Sequence, residues 1–246
     1  MTERILILGA TSGIARGIAH ALARRGHDLL LAARDGTELE RIAADLRIRH
    51  GIEAGVVVLD VLDEAQHEVL AGALAGDERP LGGVVCAVGY LGDQERAFED
   101  PREARRILDV NFTAPVLLLN RLAAILEARG QGWIIGIASV AGDRGRQSNF
   151  VYGAAKGGFA LYLQGLRNRL FRHGVQVLTV KPGFVDTAMT WGLPGLFLVA
   201  DPMAVGERIV RARERGRDTI YVPWFWRGIM PLIRAIPEPL FKRLSL

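Results

Sequence analysis

Short, nearly continuous apolar runs alternate along the chain with longer stretches in which apolar residues recur every three to four positions. The runs at 4–10, 28–34, 54–60, 82–88, 132–139, 175–182 and 219–223 predict strands. Continuous apolar character, in place of strict alternation, suits parallel strands covered on both faces. The stretches 14–25, 36–49 and 104–129, rich in alanine, leucine and arginine, predict helices between them. Strand, helix and strand in repetition predict an α/β fold with a doubly wound, mainly parallel seven-stranded sheet flanked by helices. No linker, low-complexity tract or domain boundary interrupts the 246 residues, so the reading is one domain over 1–246.

The first strand runs into "GATSGIA", residues 9–15. A glycine-rich turn between a strand and a helix lets the backbone approach a diphosphate, and the helix that follows directs its unpaired N–H groups at the anion. Gly9, Thr11, Ser12, Gly13 and Ile14 are the candidate cradle, with Ala15 a departure, standing where close strand–helix packing would favour a third glycine. A tight turn with no ligand is the plainer alternative. The second strand ends in Ala33 and Arg34. A small residue followed by arginine leaves room and charge for a 2′-phosphate, which favours NADP. Asp35, placed to pair with Arg34, keeps NAD as the alternative.

Ser139 closes the fifth strand, at the edge of the sheet where ligands collect. Thirteen residues later "YGAAK" sets Tyr152 and Lys156 one helical turn apart, in a chain with 4 tyrosines. An ammonium beside a phenol favours the ionised phenol and is expected to draw its pKa from near 10 toward neutrality. Tyr152 then exchanges a proton with the oxygen of a reacting C–O group, and Ser139 holds that oxygen.

Composition narrows the alternatives. The 31 basic residues, nearly all arginine, face 27 acids and are spread along the chain, which argues against a nucleic-acid surface. The one cysteine, Cys86, sits in an apolar run and fits a buried thiol in a reducing, cytoplasmic setting. The N-terminus lacks the pattern of a signal peptide, and no uninterrupted apolar run approaches the ~18 residues of a membrane span. His20, His27, His50, His67 and His173 lack metal-ligand spacing, and "HEVLA" at 67–71 lacks the second histidine of a zinc motif, so no metal is expected.

Taken together these motifs resemble the short-chain dehydrogenase/reductase family, a Rossmann-fold family of about this length, from end to end. "GATSGIA" is similar to its cofactor turn, "LDV" (59–61) to its adenine-contacting segment and "VNFTAP" (110–115) to its asparagine motif. "IASV" (137–140), "YGAAK" (152–156) and "KPGFVDTAM" (181–189) match its serine, its Tyr/Lys pair and its nicotinamide segment. The resemblance implies an NAD(P)H-dependent oxidoreductase that reduces a ketone or oxidises a secondary alcohol. It implies that Asn111, Ser139, Tyr152 and Lys156 are catalytic, with Asn111 completing a water-mediated proton relay to Lys156. It further implies cofactor contacts from Asp60, Val61, Ala87, Gly89, Pro182, Gly183, Val185 and Thr187, and from Tyr152 and Lys156. Members often form dimers or tetramers. "CAVG" (86–89) stands where the family usually has Asn-Asn-Ala-Gly, and local repacking is expected there.

"GYLGD" (89–93), "RGRQSNFVYGAAKGG" (144–158) and the tail 221–246 further resemble the reductases of decaprenylphosphoryl-arabinose biosynthesis. That likeness implies a lipid-linked keto sugar as substrate and a flavin oxidase as partner. Trp224, Phe225 and Trp226, with Arg227, Arg234, Lys242 and Arg243, suit a tail lying on the inner membrane surface as a peripheral protein. Closing the substrate pocket or packing in an oligomer is the alternative use of the same tail. Residues 188–208, with Trp191, Leu196 and Phe197 as an apolar wall, read as a substrate lid. A dinucleotide-binding regulatory or scaffold subunit is the rival from another class, disfavoured by the intact Ser/Tyr/Lys set.

Overall fold

The computed structural model describes residues 3–187 and 199–244. The elements follow one another as β1 (Arg4–Leu8), α1 (Gly13–Ala23), β2 (Asp28–Ala33), α2 (Gly36–His50), β3 (Ala54–Val58), α3 (Glu64–Ala75) and β4 (Leu81–Cys86). After β4 come α4 (Gln94–Glu99), α5 (Pro101–Leu108), α6 (Ala114–Arg129), β5 (Gly132–Ile137), α7 (Phe150–Phe171) and β6 (Val175–Pro182). The chain then continues through α8 (Pro202–Glu214), β7 (Thr219–Val222), α9 (Trp226–Ala235) and α10 (Glu238–Phe241). The seven strands stand in the order β3-β2-β1-β4-β5-β6-β7, all parallel.

The apolar runs are continuous because both faces of the sheet are covered. Ile5 and Ile7 point into one core with Ile18, Leu22, Leu39 and Ile209 from α1, α2 and α8. Leu6 and Leu8 point into the other with Leu70, Leu118, Leu122 and Leu163 from α3, α6 and α7. Successive strand residues face opposite ways, so a buried parallel strand must be apolar at every position. The order reverses between β1 and β4, and the crevice outside their carboxyl ends is where a ligand fits such a sheet.

Two glycines set the approach of α1 to α8. A Cβ at Gly17 would lie 2.1 Å from the Pro202 carbonyl oxygen, and one at Gly206 would lie 2.1 Å from the Gly17 carbonyl carbon. Ala15 carries its methyl fully buried, so the close packing expected of a third glycine is made at Gly17 instead.

The expected helix 104–129 starts earlier, at Pro101 after the Asp100 cap, and opens into a π turn over Asp109–Thr113. Pro115 explains the opening: it has no N–H for the carbonyl of Asn111 four residues back, so the chain widens by one residue there. Pro101–Arg129 is long and apolar enough by composition to cross a membrane, yet 44% of that window is buried inside the protein. It is a core helix.

The tail docks on the domain. Trp226 and Met230 are buried against Val140, with Phe184, Tyr221, Phe225, Ile229 and Ile233 packed around them. Arg144 donates from Nη1 to the carbonyls of Ile233, Arg234 and Ile236 at 2.7–2.9 Å and lies 3.8 Å over the Phe241 ring. Burying side chains such as Trp226 and Met230 is worth roughly 2 kcal/mol each, against ~0–1 kcal/mol for the surface pair Arg144–Glu238, so packing decides the docking. Trp226, expected on an amphipathic surface stripe, is therefore core. Trp224, Leu232, Leu240 and Leu244 remain exposed. The segment expected as a lid is only in part within the described residues, which exclude 188–198 and so Trp191, Leu196 and Phe197. From Pro202 onward it is regular helix, capped by Asp201, whose carboxylate accepts from Ala204 N.

Candidate active site

A cavity of about 530 Å³ opens at the carboxyl ends of the strands. Its lining brings together the sequence-predicted cofactor residues Gly9, Thr11, Ser12, Gly13, Ile14, Arg34, Asp60, Val61, Ala87, Gly89, Pro182, Gly183, Val185 and Thr187. Ser139, Tyr152 and Lys156 line it too. Asn111 does not; it lies wholly buried behind the wall.

At one end the backbone itself forms the surface. Gly9 has φ +73°, and a Cβ there would sit 2.8 Å from the Ala87 carbonyl oxygen. Gly13 opens α1, and a Cβ on it would meet Thr187 at 2.9 Å. Ser12 caps the helix by accepting from Ala15 N, and the amides of the first turn have no partner within the helix. A cradle lined by N–H groups, which a side chain would fill, fits the diphosphate of a dinucleotide.

Arg34 is exposed at the rim and makes no ion pair among the described residues. Asp35 does not neutralise it. That carboxylate caps α2, accepting from Glu38 N at 3.0 Å. Asp60 accepts at its carboxylate from Leu62 N, and its own N–H donates to Gln66 Oε1. His67 is buried, and its Nε2 lies 2.7 Å from the Val61 carbonyl oxygen. It braces the 59–61 turn, and no metal-holding group of His, Cys, Asp or Glu occurs among the described residues.

At the other end α7 turns Tyr152 and Lys156 inward, 8% and 2% exposed. Ser139 Oγ accepts from Ala141 N at 3.1 Å, capping the 3₁₀ turn Val140–Asp143, and lines the same cavity as the Tyr152 phenol. That turn rests directly on the α7 backbone: a Cβ on Gly142 would lie 2.5 Å from Gly157 N. The small residues around the Tyr/Lys pair thus let the serine-bearing turn touch the helix that carries the tyrosine.

Lys156 Nζ donates to the carbonyls of Val88 and Ile137, both at 3.0 Å. Burial lowers its pKa to about 8. The expectation for Tyr152 is reversed. Burial pushes the phenol up to about 12, with the nearby Ser139 hydroxyl the smaller, opposing influence. Desolvation disfavours the phenolate, and the ammonium is turned toward two carbonyls instead of toward the phenol. Burial likewise raises Cys86 to about 11, so this thiol is structural.

Behind the wall the Asn111 side chain holds backbone, and Glu103, which belongs to none of the motifs, holds the same loop. Asn111 Nδ2 donates to the Tyr90 and Ile107 carbonyls at 2.6 and 2.8 Å, and its Oδ1 accepts from Tyr90 N. The buried Glu103 accepts from the Tyr90 phenol at 2.8 Å and from Asp93 N. These bonds fix the 89–93 loop. Across "CAVG" the strands stay joined through Ala87 N to the Leu8 carbonyl. Arg106, Arg146 and Asn149 also reach the cavity.

Residues 3–194 match the short chain dehydrogenase family. An uncharacterized oxidoreductase of Mycobacterium tuberculosis is 35% identical over 98% of this chain and 96% of that protein. An uncharacterized oxidoreductase of Streptomyces coelicolor is 36% identical over 98% of this chain and 95% of its own length. Among solved structures, a short-chain dehydrogenase from Sphingobium yanoikuyae in complex with NADPH superposes with a TM-score of 0.82 at 27% identity, covering 96% of this chain and 97% of that one. The bulky-bulky ketone specific alcohol dehydrogenase from Comamonas testosteroni gives 0.81 at 26% identity, covering 96% and 95%. The seven-stranded parallel sheet, the glycine turn and this extent of likeness make the chain a member of the short-chain dehydrogenase/reductase family, the NAD(P)-dependent oxidoreductases of CH–OH and C=O groups.

Proposed function

We propose that the protein is an NADPH-dependent carbonyl reductase. The observation that carries this reading is the meeting of Ser139, Tyr152 and Lys156 on one cavity that is continuous with the glycine cradle, with Lys156 buried one turn along α7 from the phenol. Bound NADPH supplies the hydride to the substrate carbonyl carbon. Tyr152 donates its phenolic proton to the carbonyl oxygen as negative charge develops on it. Ser139 donates a hydrogen bond to the same oxygen and fixes the carbonyl against the phenol. Lys156 has three N–H donors, two engaged by Val88 and Ile137; the third would be available to the ribose of a bound dinucleotide. Its positive charge stabilises the phenolate left after proton transfer. Asn111 serves by holding Tyr90, and so the loop that walls the substrate end.

The pKa values set a pH dependence for reduction. Lys156 carries its proton below about 8, and Tyr152 keeps its own to about 12. kcat/KM is therefore level below pH 8 and falls about tenfold per pH unit above it, the slope of one lost proton. A profile flat to pH 10 would show that the Lys156 charge is not needed.

Arg34, exposed at the rim and without an ion pair among the described residues, would meet the 2′-phosphate of a bound NADPH. A hydrogen bond to a charged group is worth about 1.5–3 kcal/mol, so Arg34→Ala weakens NADPH binding roughly 10- to 100-fold and leaves NADH binding unchanged. Titration of nicotinamide fluorescence with both cofactors tests the cofactor assignment. NADPH oxidation over a ketone panel tests the activity, and failure to bind either dinucleotide would overturn it.

The narrowest form of the reading makes the substrate a polyprenyl-phosphate keto sugar, formed by a flavin oxidase at the inner membrane face. Its support is the motif likeness in 89–93 and 144–158, together with Trp224, Leu232, Leu240 and Leu244 left exposed on the docked tail. Liposome flotation of the protein with these four changed to serine measures the membrane part.

A further inference from the structure

The catalytic residues form the floor of the cavity, but its outer wall holds a cation that none of them uses. Arg146 lies between the 3₁₀ turn and α7 and lines the cavity with Asn149. Its Nε is buried without a hydrogen-bond partner. Its Nη2 has only the Met230 sulfur at 3.9 Å, and it makes no ion pair among the described residues. Asp143, the acid whose charge it feels, is engaged elsewhere, by Lys181 at Oδ1 and by the Tyr221 hydroxyl at Oδ2. Asn149 Oδ1 is buried and unpartnered as well. A second cation, Arg106, reaches the same cavity with its guanidinium 4.5 Å over the Tyr90 ring and no carboxylate on it among the described residues.

Three other partly buried arginines are matched, whereas Arg213, whose Nε is also unpartnered, lies over the Trp133 ring and does not line the cavity. Arg25 holds Glu207 and Glu214, Arg144 holds backbone carbonyls and Glu238, and Arg167 holds carbonyls, Thr179 and Asp218. A partly desolvated guanidinium without acceptors is costly, and here the group lines the same cavity as Tyr152. The diphosphate cradle and Arg34 already provide for the phosphates of a dinucleotide. We propose that Arg146 is a specificity-determining residue and that the carbonyl substrate carries an oxyanion, a carboxylate or a phosphate, which Arg146 binds at the substrate end of the cavity. This rests on the reductase reading above. A planar fork of N–H donors matches either oxyanion in two parallel bonds, and Asn149 Oδ1 beside it accepts from a substrate hydroxyl.

The test uses matched pairs with the NADPH-saturated protein: 4-acetylbenzoate against its methyl ester, and 4-acetylphenyl phosphate against 4-hydroxyacetophenone. KM is read from NADPH oxidation. Where a pair is not turned over, its Kd is read from the change in NADPH fluorescence. At least one anionic ketone is expected to bind tenfold or more tightly than its neutral partner, and the better anion tells carboxylate from phosphate. Arg146→Gln should erase that preference by raising KM for the anion, with kcat within about threefold and NADPH affinity unchanged. Arg146→Lys, which keeps the charge and loses the fork, should retain part of it. Anions binding no better than their neutral partners, or a preference that survives in Arg146→Gln, would overturn the proposal. Failure of the reductase reading shows separately, as absence of NADPH binding or as full turnover by Tyr152→Phe.

Discussion

Tyr152→Phe lowers kcat by about 10²- to 10⁴-fold, the range that a positioned proton donor contributes, while NADPH binds as in the parent. The substitution removes one oxygen from a side chain that is 8% exposed and leaves the ring to pack as before. Lys156 keeps both carbonyl partners, because neither belongs to Tyr152. The fold and the cofactor cradle are therefore preserved, and the loss falls on the chemical step. Ser139 keeps its bond to Ala141 N, so the turn at the end of β5 also holds. Single-turnover oxidation of bound NADPH measures the effect, with thermal unfolding as the control. Wild-type turnover in a folded variant would mean that the substrate oxygen takes its proton from another donor.

The second large effect is on stability and comes from a site remote from the proton donor. Gly17→Ala is expected to cost about 3 kcal/mol or more, at or beyond the upper end of the overpacking range. The reason is that the added methyl meets backbone. A Cβ at Gly17 lies 2.1 Å from the Pro202 carbonyl oxygen, where no side chain can swing aside and α8 itself must move. For a domain of this size that corresponds to a fall in Tm of roughly 6–12 °C. Gly72→Ala, inside α3, is the control with opposite sign. Nothing lies within 4 Å of its Cβ position, so it should stabilise by about 0.5–1 kcal/mol through helix propensity. Urea unfolding of both variants reads the contrast. Because α1 also carries Ser12 and Gly13 at its start, Gly17→Ala should weaken NADPH binding as well. Equal stability of the two variants would show that the α1–α8 contact is looser than these distances imply.

The strands, their parallel pairing and the position of the glycine turn were legible in the chain because they depend on composition within a few residues. A strand covered on both faces must be apolar throughout. A turn with φ +73°, where a Cβ would lie 2.8 Å from the Ala87 carbonyl oxygen, must be glycine at Gly9. The Tyr152–Lys156 spacing is likewise local, fixed by the 3.6-residue helical period. What spacing could not show is which way a side chain points and what surrounds it. Lys156 stands one turn from Tyr152 as expected, yet it is held by Val88 and Ile137, from two other segments, and burial sets the direction at the phenol. Asp35 adjoins Arg34 in sequence but turns to cap α2. Glu103 reaches Tyr90, and Arg144 reaches carbonyls some ninety residues away on the tail. By itself, then, the sequence determined the doubly wound fold and the residues that meet at its carboxyl edge, since backbone period and local turn chemistry decide both. Only the tertiary structure decided the direction of the Tyr152 pKa, the docking of the tail and the unmatched charge of Arg146, because each depends on burial and on partners brought together from distant parts of the chain.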